Sequence, residues 1–202
     1  MDRDRSARRE FLATSLPDLK TVLRFRGGVF ELVGGGLINR QVGNSNVGTN
    51  GGSVNWFGGN SNDQGSGGFS AFGGSAVVNL DNPLFPETYA WGSSPSFLSA
   101  GYSLVFGSKS ADSVVEWQDN ISLSGQSNTA NFDRFYNLRE IRVVDNPAST
   151  GDRAVFSGAL TSNDITLGGQ NADWIKTGDG TLALTNANNN YFGNTIVAAG
   201  TL

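Results

Sequence analysis

From Gly27 to the C-terminus the chain alternates short apolar runs with clusters of Gly, Asn, Asp and Ser. The runs are Val29–Val33, Ser53–Phe57, Ala76–Leu80, Ser103–Phe106, Val114–Trp117, Glu140–Val144, Ala154–Phe156, Asp164–Leu167, Thr181–Thr185 and Thr195–Val197. Each is too short for a stable helix and rich in β-branched and aromatic residues, which predicts strands separated by tight turns. Period-two alternation is plain in Asp164-Ile165-Thr166-Leu167 and in Thr181-Leu182-Ala183-Leu184-Thr185. One stretch departs from this pattern. In Ala130–Arg142, Phe132, Phe135, Leu138 and Ile141 fall near helical spacing, which predicts either a turn or two of helix or an excursion loop that packs aromatics on the strands.

Strand onsets recur as Gly28-Val29-Phe30-Glu31-Leu32, Gly180-Thr181-Leu182-Ala183-Leu184 and Gly200-Thr201-Leu202. The step from Gly180 to Gly200 suits one turn of a parallel β-helix, in which each coil pairs only with its neighbours. The expected fold is all-β: a right-handed parallel β-helix (β-solenoid) over residues 27–202, with roughly eight coils of about 22 residues and a length near 38 Å at about 4.8 Å per coil.

Composition agrees with a thin-cored, turn-rich chain. Among 202 residues there are 28 Gly and 21 Asn, and hydrophobic residues make up 38%, low for a compact globule. The N-terminal segment 1–26 differs: it carries 7 Lys or Arg against 4 acids, whereas 27–202 carries 7 against 14. It reads as a polar leader, or as a mis-started segment, outside the solenoid. Within it Arg8-Arg9-Glu10-Phe11-Leu12 is similar to a twin-arginine export signal, but Pro17, Asp18 and Lys20 interrupt the apolar segment that such a signal needs. The acidic body lacks the basic stripe that nucleic acid requires, and no window is apolar over the roughly 18 residues of a transmembrane helix. With no Cys and no His, disulfides, thiol nucleophiles, imidazole metal ligands and His-dependent triads are excluded.

The segment Trp174-Ile175-Lys176-Thr177-Gly178-Asp179-Gly180-Thr181-Leu182-Ala183-Leu184-Thr185, continued by Asn190-Tyr191-Phe192-Gly193-Asn194-Thr195-Ile196-Val197-Ala198-Ala199-Gly200-Thr201-Leu202, resembles the autotransporter-associated β-strand repeat. The assigned repeat spans 171–202. Upstream, Gly67–Gly74, Ala90–Gly92 and Ser103–Ser108 resemble the spacer that precedes this repeat in large surface proteins, while Asn82–Thr88 and Asn131–Glu140 depart from it as projecting loops. In the repeat, Asp179-Gly180 is expected to supply a positive-φ turn, and Leu182, Leu184 and Val197 to point into a narrow core. The resemblance implies a non-catalytic passenger segment, secreted or at the cell surface in association with the outer membrane. Its loops would be displayed for adhesion, its partners being extracellular glycan or matrix and adjacent repeats of a longer protein.

Alternative chemistries have weaker support. Asp112, Glu116 and Asp119 are the acids nearest one another in sequence, and a β-helical polysaccharide-processing enzyme would need such carboxylates on one face; the expectation is solvated turn and strand-exterior residues. Gly58-Gly59-Asn60-Ser61-Asn62-Asp63 approaches a calcium-binding nonapeptide but has Ser61 where a Gly is required, and Gly168–Asp173 is a poorer echo. The Gly-rich stretches match no nucleotide loop. Trp56, Trp91, Trp117 and Trp174 are expected to fill the interior, the rival being a sugar-binding module that uses Trp91 or Trp117. No catalytic, cofactor-binding or metal-ligating residue is assigned, and no cofactor. Because Gly200-Thr201-Leu202 is a strand onset with no cap after it, the chain is expected to be part of a longer array, and residues 186–202 to fray or self-associate.

Overall fold

The computed structural model describes residues 11–13, 21–43, 52–56, 64–82, 84–92, 97–99, 101–124, 139–162 and 173–202. Strands, numbered in chain order, are stacked in parallel. The long sheet has seven: β1 (Phe11–Ala13), β3 (Val29–Val33), β7 (Gly67–Phe72), β10 (Ser103–Phe106), β13 (Arg139–Val143), β16 (Trp174–Thr177) and β18 (Thr195–Val197), in that spatial order. A second sheet stacks β4 (Gly36–Ile38), β8 (Ala76–Val78), β11 (Val114–Trp117), β14 (Arg153–Phe156) and β17 (Leu182–Leu184). A third holds β9 (Thr88–Ala90), β12 (Asn120–Ser122) and β15 (Leu160–Thr161), and a fourth β2 (Val22–Arg24), β6 (Ser53–Asn55) and β5 (Gln41–Val42). No helix occurs among the described residues. The chain passes from one sheet to the next and pairs with itself one turn later, which is the architecture of a solenoid.

The coils are longer than the short repeat at the C-terminus leads one to expect. Along the long sheet, Phe30 pairs with Phe69, Phe69 with Phe106, Leu104 with Ile141 and Ile141 with Lys176. The steps at the two ends of this sheet, from Phe11 to Phe30 and from Lys176 to Val197, are about as short as the repeat. The physical reason lies at the corners. The coils between β3 and β16 carry long connections, such as 81–87 between β8 and β9, whereas the last turn crosses from β17 to β18 with a single bridge, Thr161 to Asn190, standing in for the third sheet. Counted in the same way, the seven rungs among the described residues give a height near 34 Å at about 4.8 Å each, against the sequence-based expectation of about 38 Å.

Two strands come from the N-terminal segment 1–26, set apart by its composition: Phe11–Ala13 pairs with Phe30–Leu32, and Val22–Arg24 with Ser53–Asn55. The helical alternative for Ala130–Arg142 lies largely outside the described residues; its end, Arg139–Arg142, is in strand β13. The positive φ expected at Gly180 falls instead on Gly178, at 73°. A Cβ there would overlap the Val143 carbonyl oxygen of the preceding rung, so only glycine lets the turn lie flat on its neighbour.

Inward-facing residues alternate along β11, β13, β14 and β16, and the core is an aromatic column. Trp56, Trp91, Trp117 and Trp174 are all buried. Trp117 stands at the centre, with its ring stacked on Phe156 at 6.3 Å and edge-on to Trp56 and Phe106. The tryptophans therefore fill the interior, and Trp91 and Trp117, each 0% exposed, present no sugar-binding face.

Candidate functional site

A regular register runs along the second sheet: Ile38, Val78, Trp117 and Phe156 pair in successive rungs. The next residue of each turns the corner and is polar, namely Asn39, Asn79, Gln118 and Ser157. Asn39 Nδ2 donates to the Asn79 carbonyl (2.6 Å), and Asn79 Nδ2 donates to Gln118 Oε1 (3.1 Å). Gln118 Nε2 and Ser157 Oγ both donate to Glu116 Oε1, and Asn186 Nδ2 donates to the Ser157 carbonyl. The ladder bonds most of the polar groups at this corner, while Asn79 Oδ1 is buried without a hydrogen-bond partner among the described residues.

The three acids singled out in the sequence do not converge on one function. Asp112 Oδ1 accepts the Gly73 amide, and hydrogen bonds from the Ser113 hydroxyl and that amide hold its carboxyl below the ordinary range. Glu116 belongs to the corner ladder. Asp119, expected in a solvated turn, is fully buried. Its two oxygens accept the amides of Leu80 (2.7 Å) and Glu87 (3.1 Å). Desolvation outweighs these bonds and pushes its pKa up to about 7. One carboxylate thus pins both ends of a loop whose tip, Leu84 and Phe85, is 79% and 66% exposed.

The outer face of the long sheet is built from hydroxyls and carboxylates. Glu31 lies opposite in parity to the buried Phe30 and Leu32, yet is only 3% exposed. Its carboxylate accepts Ser70 Oγ (2.9 Å), Ser110 Oγ (2.9 Å) and Ser108 Oγ. Three rungs along, Glu140 accepts the hydroxyls of Ser103 and Thr177 on its two neighbouring strands. Above this floor runs an open groove of about 540 Å³. It is bordered by Gly28 and Val29 at one end and Gly178 and Asp179 at the other, with Val105, Lys109, Arg142 and Asp145 between.

Lys176 shows how the C-terminal repeat works. It alternates with Trp174 and so faces inward, fully buried. Its ammonium donates to the carbonyls of Gly178 (2.6 Å), Gly180 and Ala199 (2.9 Å), using all three of its donors. Burial lowers its pKa below the ordinary lysine value, with Asp179 and Asp145 acting in the opposite sense. A Cβ on Gly200, which has φ 69°, would overlap Nζ and the same carbonyls. The Lys-Thr-Gly-x-Gly spacing and the distant Gly200 are thus parts of one cradle, a feature the sequence reading misses because a lysine on a short strand reads as solvent-facing. Of the residues expected to face the core, Leu182 is buried and Leu184 packs against it. Val197 is 49% exposed, because β18 is the edge strand of its sheet. The calcium-like segment 58–63, most of 168–173, and the run Asp164–Leu167 lie outside the described residues. Among the described residues there is no group of three or more acids placed to hold a metal, and no helix long and apolar enough to cross a membrane.

Residues 175–202 match the family model described as Passenger-associated-transport-repeat. The match falls on the segment whose residues carry the resemblance to the passenger repeat. No curated protein and no solved structure matches the chain.

Proposed function

We propose that this chain is a non-catalytic structural segment of a secreted or cell-surface passenger, associated with the outer membrane of its cell, and that it presents loops for adhesion or matrix contact. The winding is right-handed, following the chirality preference of parallel crossover connections. The observation that carries the reading is the 81–87 loop. Two large apolar side chains stand in solvent at its tip while its two ends are bonded to the buried Asp119, so the backbone's own anchoring holds the apolar tip out, and poor packing does not account for it. The passenger-type repeat supports a surface location, and the stack of parallel rungs supports a spacer role.

The test is adsorption of the purified chain to immobilised collagen, laminin, fibronectin and mucin. The expected result is saturable binding to one of them, weakened by about tenfold or more, about 1.4 kcal/mol, in the double variant Leu84→Ser, Phe85→Ser. Binding to none of them, or unchanged binding by the double variant, refutes the adhesive role of this loop.

A further inference from the structure

We infer that the groove on the outer face of the long sheet is a binding site for a linear, uncharged glycan. This goes beyond the scaffold reading and uses a different face of the stack from the 81–87 loop.

Shape is the first argument. The groove borders strands from β3 to β16, five rungs, so it extends over about 19 Å. That suits a chain of several linked units better than a single small molecule. Its volume of about 540 Å³ is in the range of ligand clefts. At Gly28 the space is empty: a Cβ there would meet nothing within 4 Å.

Chemistry is the second. Arg142 is exposed and has no hydrogen-bond or ion-pair partner among the described residues, so its guanidinium offers a full set of donors to the groove. Asp145 and Asp179 offer acceptors nearby, and Lys109 donates to the Asp145 carbonyl at 2.9 Å. A sugar hydroxyl both donates and accepts, so it is the group that uses cations and carboxylates side by side, in charge-assisted hydrogen bonds. The valines of the floor, Val29 and Val105, supply apolar surface for the C–H faces of the rings.

Charge is the third. The lining carries two cations against three carboxylates, and one of these, Glu31, is already saturated by serine hydroxyls. Such a lining favours neither a polyanion nor a polycation. The whole chain is acidic, at −4, which opposes the approach of an anionic polymer. An extended peptide is disfavoured as well, because the groove lies on a sheet face where backbone hydrogen bonds are already made between strands, and not on an open edge.

The experiment is calorimetric titration of the full chain with linear neutral oligosaccharides of gluco-, manno-, xylo- and galacto-type, with oligogalacturonate and oligolysine as charged probes. One neutral class is expected to bind. Arg142→Ala is expected to weaken it by about tenfold or more, and Gly28→Leu, which fills the empty end without a positive φ to strain, to abolish it with the melting temperature unchanged. The Leu84→Ser, Phe85→Ser variant is expected to bind like the parent, which separates this site from the loop. The inference is overturned if no neutral oligosaccharide binds, if a charged probe binds more tightly than every neutral one, or if the folded Gly28→Leu variant retains affinity. None of those results touches the scaffold reading, which stands on the loop assay.

Discussion

Replacing Lys176 by Met removes the charge from the C-terminal cradle while keeping an unbranched chain of similar length. Three carbonyls accept the ammonium. The Gly180 carbonyl keeps a second donor, the Thr201 amide at 3.3 Å, so the loss falls on Gly178 and Ala199. An orphaned buried acceptor costs about 1–3 kcal/mol. Both of these bonds are part-buried, so the low end applies to each, and the expected net is about 2–3 kcal/mol at most once the ammonium is no longer desolvated. Only Ala199 belongs to the last rung, and the cost should therefore appear as local opening there. The assay is native-state hydrogen exchange at Ala198, whose amide donates to the Lys176 carbonyl, and at Leu182, which donates to Thr201. A loss of about 2–3 kcal/mol raises exchange at these amides by roughly 30- to 150-fold, while amides of Ser103–Phe106 in β10 are unchanged. Equal protection at Ala198 in parent and variant would refute the cradle as the tie that holds the last rung.

Three further outcomes follow from the same physics. Asp119 has a folded pKa of about 7 against an ordinary 3.8, so the native state binds the extra proton. Its contribution to stability is complete below pH 3.8 and is lost as pH rises through about 7, up to about 4 kcal/mol in full linkage; denaturant melts from pH 4 to 8 should show the decline, and Asp119→Asn should flatten it. Trp117→Ala empties the centre of the aromatic column and should destabilise the chain by about 4 kcal/mol or more, read from urea midpoints at unchanged m-value. Gly200→Ala drives a methyl group into the Lys176 cradle at a positive φ and should cost about 1–3 kcal/mol; combined with Lys176→Met the two losses should fall short of additivity, measured as a double-mutant cycle.

Strands are the legible part of the sequence wherever the apolar run is uninterrupted: Val29–Val33, Ser103–Phe106, Val114–Trp117 and Thr195–Val197 carry the same bounds in the structure. Gly67–Phe72 reads as spacer through its resemblance to the segment that precedes the repeat, yet it becomes a strand buried between two others; a Cβ on Gly68 would overlap the Val105 carbonyl oxygen. The echo between Gly180 and Gly200 belongs to a short end coil and does not set the general period. The longer register is present in Ile38-Asn39, Val78-Asn79, Trp117-Gln118 and Phe156-Ser157, an apolar residue followed by a polar one each time the chain turns the corner. Parity in Trp174-Ile175-Lys176-Thr177 places the lysine inward, but nothing in one sequence shows the carbonyls that meet it there, since one comes from the next turn. The groove is illegible for the same reason: Gly28, Lys109, Arg142 and Asp179 are far apart along the chain and share a surface only through the stacking of rungs.

Every rung is bonded to its neighbours by hydrogen bonds that lie along the axis of the stack, and this sets how the molecule responds to mechanical force. Tension applied between the two ends peels strands from the edges inward, because an interior strand cannot leave until its outer neighbour has gone. The first barrier on one side is small, since all of Thr195–Val197 in β18 is exposed. Later barriers are larger, as each further coil removes side chains from the aromatic column. Extension is therefore expected to proceed as separate yields, one per rung, read as steps in a force–extension trace.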